Sequence, residues 1–266
     1  MPSNRLIALF LCCVLAATGT VASMPAAAAS AGPTTRVLFV GNSLTYVHNL
    51  PAMVSALASV NGKRVDARML ARGGATMQDH VNAGLAEKSM RSGEVDVLVL
   101  QEQGGALLCG SGPSCDGPTQ ALARLTADAQ AAHVRPILLG TYQELPVASK
   151  AIEAAEVDLA RKAGIETRVG VSEALRHARA VAPTRAWLAA DGHPGADLTM
   201  LMAIRLYHAL YGSWPTARQV TVRGTDYSAS PHFTGWSIRE EPGAGAASAQ
   251  RFDADRMGAL IALGRQ

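Results

Sequence analysis

Four short segments carry side chains able to act together on a carbonyl centre. Gly41-Asn42-Ser43-Leu44-Thr45 offers a hydroxyl, which becomes a useful nucleophile only beside a base and an anion site. Asp191-Gly192-His193-Pro194 offers the base, because imidazole titrates near neutral pH and a neighbouring carboxylate can fix its tautomer. Gly73-Gly74-Ala75-Thr76 offers backbone N–H groups free of side-chain obstruction. Gln101-Glu102-Gln103 offers amides that can donate to a developing oxyanion. Each segment alone also has a plain reading. Ser43 can cap a turn, the glycines can make one, the Gln-Glu-Gln run can mark a strand leaving for solvent, and His193 can be a solvated loop residue. The serine motif is not the Gly-x-Ser-x-Gly elbow, since Thr45 stands at the last position.

The elements around these segments make the grouping meaningful. Apolar runs at 37–40 and 95–100 lack alternation and read as buried strands, and 65–70, 136–140 and 166–169, the last the least apolar, are further candidate strands. Helical patterns lie between and after them, at 51–60, 76–90 (capped by Thr76), 121–132, 147–163, 172–180 and 196–211. Strands alternating with helices predict an α/β fold, a three-layer α/β/α sandwich on a parallel sheet of about five strands. Such sheets carry their sites at the carboxyl ends of the strands, where strand order reverses. The first three segments each follow a strand directly, and the fourth precedes the last long helix. Beyond about 216 the chain turns rich in Gly, Ser and Ala. It is expected to be an irregular extension, with a short strand at 219–223, a loop at 244–247 and a helix at 253–263.

Composition narrows the setting. Arg5 is the only charge before Arg36, and an apolar run at 6–17 followed by small residues at 26–31 has the order of a secretory signal over 1–31. That run is shorter than the roughly 20 residues a bilayer span needs. A retained anchor is the alternative. The rest, 32–266, is expected to form one domain, secreted or periplasmic, with no stable membrane span after signal cleavage. Cys12 and Cys13 fall in the leader. Cys109 and Cys115 bracket a turn-rich Gly-Ser-Gly-Pro-Ser segment, and an oxidising compartment predicts a disulfide between them, with two free thiols as the plain reading. The formal charge is only +3, basic residues are scattered and aromatics make up 5%, which argues against a nucleic-acid surface. No dinucleotide or phosphate-binding glycine loop and no His-Glu-x-x-His occurs, and His48, His80, His133, His177, His208 and His232 show no ligand spacing. No metal and no cofactor are expected. Tyr46 and His48 follow the serine block, where they can line a pocket or lie on the surface.

Taken together, the segments resemble the SGNH hydrolases, or GDSL-type esterases, over most of 36–211. The strand leading to Ser43 resembles the family's first block, with Asn42 where the family has Asp. Gly74-Ala75-Thr76 is similar to the second block, and Asp191 to Pro194 approaches the last, Asp-x-x-His-Pro. The likeness looks closest to a bacterial subgroup with Gln-Glu-Gln after the third strand, in which a segment like Val169-Gly170-Val171 precedes the final block. Pro194-Gly195 and the helix after them are similar to that subgroup too.

The resemblance implies a flavodoxin-like SGNH fold and a carboxylic-ester hydrolase working through an acyl-serine. Ser43 would be the nucleophile and His193 the base, with Asp191 completing the triad. The N–H groups of Ser43 and Gly74, with Gln103 or less favourably Gln101, would hold the oxyanion. Two departures stand out. The family's Gly-x-Asn-Asp block is missing, and Asp191 lies two residues before His193 rather than three, with Ala190 at the expected place. A backbone carbonyl or Asp197 is the alternative partner for the ring. The implied substrate is a small-molecule or carbohydrate ester, an O-acetyl group on a carbohydrate foremost. A non-catalytic glycan-binding relative and an envelope-polymer O-acyltransferase are the rival functions.

Overall fold

The first strand, β1 (Thr34–Gly41), sends Val37 and Phe39 to one face and Leu38 and Val40 to the other, and all four are buried. A strand apolar on both faces needs a covering layer on each side. The computed structural model, which describes residues 32–109, 116–227 and 246–266, supplies both layers. In chain order after β1 come α1 (Ser43–Tyr46), α2 (Leu50–Val60), β2 (Arg64–Ala71), α3 (Met77–Ala83), α4 (Leu85–Arg91) and β3 (Val97–Leu100). A short 3-10 helix (Ala106–Leu108) precedes α5 (Gly117–Ala131), β4 (Arg135–Leu139), α6 (Pro146–Ala163), β5 (Thr167–Val169), α7 (Ser172–Val181) and α8 (Ala196–Tyr211).

Among the described residues the main sheet has five strands in the order β2-β1-β3-β4-β5, every neighbouring pair parallel. This is the predicted three-layer α/β/α sandwich. Side-chain alternation divides the core in two. Phe39, Val99, Ile137 and Leu139 pack with α2, α7 and α8, while Leu38, Leu98, Leu100 and Leu138 pack with α4 and α5. The chain leaves β1 towards β2 on one side and reaches β3 on the other, so the sheet reverses direction between β1 and β3. Ligands of such sheets bind at that crevice.

Three local readings change. The helix expected over 76–90 is two helices, because Gly84 adopts φ +67° and breaks the run. Thr76 does cap α3, in a capping box with Asp79. The tail is not irregular throughout. β6 (Val220–Asp226) pairs antiparallel with β7 (Ala246–Phe252), and α9 (Ala254–Gly264) follows. The loop expected at 244–247 therefore runs into a strand. Ala-Ala-Ser-Ala has little intrinsic preference for a strand; the ladder with β6 creates it. The predicted signal, 1–31, lies outside the described residues. Among those described, no helix is long and apolar enough to cross a membrane.

Candidate active site

Ser43 is the first residue of α1, immediately past the end of β1. The turn between strand and helix is built by its neighbours. A Cβ on Gly41 would collide with Thr45 Oγ1, so only glycine lets the chain close here. Asn42 is the N-cap: Oδ1 accepts the Leu44 N–H at 3.0 Å, and Nδ2 donates to the Ala75 carbonyl at 3.2 Å. An aspartate could make the first bond but not the second, so Asn42 performs a task that its acidic counterpart could not. His80, buried beneath the turn, lies with Nε2 2.7 Å from the Gly41 carbonyl, and burial pushes its pKa down to about 4. It is thus neutral near pH 7, with its Nε2–H donating to that carbonyl.

The chain after α1 is strained and clamped. His48 and Asn49 both have positive φ (57° and 53°), a conformation that costs non-glycine residues roughly 1–3 kcal/mol each. The tail holds it. Asn49 Nδ2 donates to the Thr225 carbonyl at 2.9 Å, His48 N–H reaches the Tyr227 carbonyl at 3.4 Å, and His48 Nδ1 lies 3.3 Å from Asp226. Tyr46 packs edge-on to Tyr227 and is buried, so it does not line the site.

A cavity of about 410 Å³ opens at the carboxyl ends of the strands and is lined by Ser43, Gly74, Gln103, Asp191 and His193, among others. All four segments singled out in the sequence meet there. A second cavity of about 420 Å³, between α2, β2 and β6, contains none of them, so size does not select the site; its chemistry does. Gly74 takes φ +70° in the turn closed by Ala75 N–H to the Arg72 carbonyl. The backbone N–H groups of Ser43 and Gly74 have no acceptors among the described residues. The two glutamines part company. Gln103 lines the cavity with its amide oxygen held by Ala106 N–H at 2.8 Å, which leaves its NH2 as a free donor. Gln101 is buried away from the cavity, accepting from Thr45 Oγ1 at 2.6 Å and donating to the Gly140 carbonyl at 3.0 Å. Between them, Glu102 is buried and accepts the N–H groups of Met77 (3.1 Å) and Gln103 (2.7 Å); burial raises its pKa against those bonds.

The base loop is compact. Gly192 takes φ +81°, Leu188 bridges to Pro194, and Ala189 N–H donates to the His193 carbonyl at 2.8 Å. Asp191 Oδ1 accepts the backbone N–H of His193 at 3.1 Å, and Oδ2 lies 3.2 Å from Nδ1 of the same ring. That second contact is close but badly angled, and Nδ1 forms no aligned hydrogen bond. In this arrangement the carboxylate binds the backbone N–H and does not come into line with the ring N–H. The backbone N–H of His193, then its charge, hold the Asp191 carboxyl below the usual range. Asp197 does not reach the ring. Its carboxylate is bound by Arg256 Nε at 2.7 Å and Arg185 at 3.2 Å, tying α9 to the start of α8. Ser43 and His193 share the cavity but form no hydrogen bond with each other, a looseness common in unliganded sites.

A fifth segment went unread in the sequence. Thr141-Tyr142-Gln143-Glu144 follows β4 and also lines the cavity. Tyr142 is buried and its hydroxyl donates to the Gly192 carbonyl at 3.0 Å, bracing the base loop; burial, then the Asp191 and Glu144 charges, raise its pKa. Below it, buried Glu156 accepts the Thr141 N–H at 2.6 Å and pairs with Arg168 at 3.1 Å; burial lifts its pKa to about 7. The available signal was position: polar and aromatic residues at the carboxyl end of an apolar strand, as Gln101-Glu102-Gln103 stand after β3. Among the described residues no group of three or more His, Cys, Asp or Glu side chains is arranged to hold a metal ion. Cys115 lies outside the described residues, and with it the predicted bridge to Cys109.

No family profile and no curated protein matches the chain. Solved structures do. A DUF4886 family protein from Bacteroides uniformis superposes with a TM-score of 0.56 at 13% identity, over 68% of this chain and 84% of that one. An acetylxylan esterase from Geobacillus stearothermophilus gives 0.52 at 16%, over 69% and 97%. A lipase/acylhydrolase from Enterococcus faecalis gives 0.51 at 13%, over 67% and 96%. The chain shares its three-layer α/β/α fold with these proteins, and at these identities the likeness is one of fold alone.

Proposed function

We propose that this chain is an exported serine esterase of the SGNH type that hydrolyses a carboxylic ester through an acyl-serine, with a carbohydrate O-acetyl group as the preferred substrate. One observation carries the reading: a hydroxyl, an imidazole, two unoccupied backbone N–H groups and a free amide NH2 share one cavity where the sheet reverses. His193 takes the proton from Ser43 as Oγ bonds to the ester carbon. The oxyanion is held by Ser43 N–H, Gly74 N–H and Gln103 Nε2. The intermediate collapses, the C–O bond to the alcohol breaks, and the alcohol leaves with the proton from His193. Water, deprotonated by the same imidazole, then frees the acid and restores Ser43.

Finer features belong to the same proposal. The subgroup with Gln101-Glu102-Gln103 is supported by the separate tasks of those residues: a buried brace, a buried acceptor of backbone N–H groups and a cavity donor. A signal over 1–31, a secreted or periplasmic protein, a single domain over 32–266 and a Cys109–Cys115 disulfide complete it. The poor alignment of Asp191 with the ring favours one second reading, a non-catalytic glycan-binding relative.

Hydrolysis of p-nitrophenyl acetate by the wild type, Ser43→Ala and His193→Ala separates the two. Turnover by the wild type alone supports the esterase; equal rates for all three leave the binding protein. Amino-terminal sequencing of exported protein and thiol titration without reduction check the signal and the disulfide.

A further inference from the structure

The loop after β4 has hydrogen-bonding capacity that the protein does not use. Gln143 and Glu144 line the cavity, and neither side chain has a hydrogen-bond or ion-pair partner among the described residues. Thr141, 1% exposed, also lines it, and its hydroxyl is buried without a partner. Buried polar atoms are nearly always satisfied, and an exception calls for a ligand or a role. Two of the groups converge on one point: a Cβ added at Gly104 would lie 3.2 Å from Thr141 Oγ1 and 3.3 Å from Gln143 Nε2. Glu144 reaches over the base loop, its Oε1 3.3 Å from the corresponding position at Gly192. The loop itself is rigid from below through Glu156 and Gln101.

We infer that Thr141, Gln143 and Glu144 form the subsite for the alcohol half of the ester, and that this alcohol is a neutral, polyhydroxylated saccharide. The inference rests on the esterase reading for its place in catalysis but not for binding. A free amide, which donates and accepts, and a free carboxylate, which accepts, suit sugar hydroxyls, which do both. Glu144 and Asp191 line the cavity, and among the described residues no Lys or Arg does, which disfavours phosphate-bearing and acidic alcohols. Leu44 lines the cavity beside Ser43, whereas Leu145 and Val147, exposed just beyond Glu144, form no part of the lining. Recognition is by hydrogen bonds rather than stacking, since among the described residues the tyrosine that lines the cavity, Tyr142, is buried with its hydroxyl committed to Gly192.

The test is calorimetric titration of the Ser43→Ala protein with acetylated xylobiose, alone and combined with Gln143→Ala, Glu144→Ala, Glu144→Gln or Thr141→Val. Each alanine variant is expected to weaken binding about tenfold. Glu144→Gln, which keeps an acceptor, should weaken it less. Unchanged affinity in the variants, or no binding to Ser43→Ala, overturns the subsite. Acetate release by the wild type is read separately. Binding without release defeats the esterase reading and supports the subsite, whereas p-nitrophenyl acetate turnover without saccharide binding defeats the subsite alone.

Discussion

Asp191 grips His193 mainly by the backbone: its Oδ1 accepts the His193 N–H at 3.1 Å, while its Oδ2 sits 3.2 Å from Nδ1 without lining up with the ring. The Asp191 side chain is also 56% exposed. An exposed, misaligned charge contributes about 1 kcal/mol or less. Asp191→Asn, which can keep the backbone bond, is therefore expected to lower kcat by about tenfold at most. An aligned, buried triad carboxylate is worth about 10⁴. A loss of that size in steady-state assays would show that the carboxylate swings into line during catalysis.

Tyr142 and Gly192 give the second prediction. The hydroxyl of Tyr142 is the brace between the β4 loop and the base loop. Tyr142→Phe removes one hydrogen bond and should reduce stability by about 1 kcal/mol. It should lower kcat several-fold with little change in KM, since the base shifts while the cavity keeps its shape. A change confined to the melting temperature would make the brace structural only.

The two glutamines should fail differently. Gln103→Ala deletes a donor at the cavity and is expected to lower kcat by about 10²–10³ while stability barely moves. Gln101→Ala leaves Thr45 Oγ1 and the Gly140 carbonyl buried without their partner, which should destabilise by about 1–3 kcal/mol. Chemical denaturation beside kinetics on both variants checks the contrast; matching behaviour would defeat it.

His80 makes folding sensitive to acid. Its pKa falls from 6.5 unfolded to about 4 folded, so between those values the unfolded chain binds the extra proton. Its stabilising contribution is full above pH 6.5 and is lost as pH falls through 4, by up to about 3 kcal/mol. Glu156 runs the other way, since its raised pKa of about 7 makes the folded state hold a proton as pH rises from 4.5. The difference in unfolding free energy between the wild type and His80→Gln, measured at pH 7 and at pH 4.5, isolates the histidine. That difference should shrink in acid, and a constant value would refute the linkage.

The strands, their order of appearance and the four reactive segments were legible in the chain because they are local signals. Fully apolar runs need layers on both faces, and residues just past such runs must emerge at one edge of a parallel sheet. Val37 to Val40 and Val97 to Leu100 carry that information in their own side chains. Other features depend on partners distant in sequence. Gln101 and Gln103 are the same residue type two positions apart, and only the Thr45 hydroxyl and the Gly140 carbonyl decide which one is consumed. Asp197 looks as able to orient an imidazole as Asp191 until Arg185 and Arg256 claim it. The Ala-Ala-Ser-Ala start of β7 has no strand signal of its own and becomes one by pairing with β6. Composition and periodicity thus determined which groups could do chemistry and at which end of the sheet. Tertiary structure decided which of them keep free hydrogen-bonding capacity, because that is a property of the surroundings rather than of the residue.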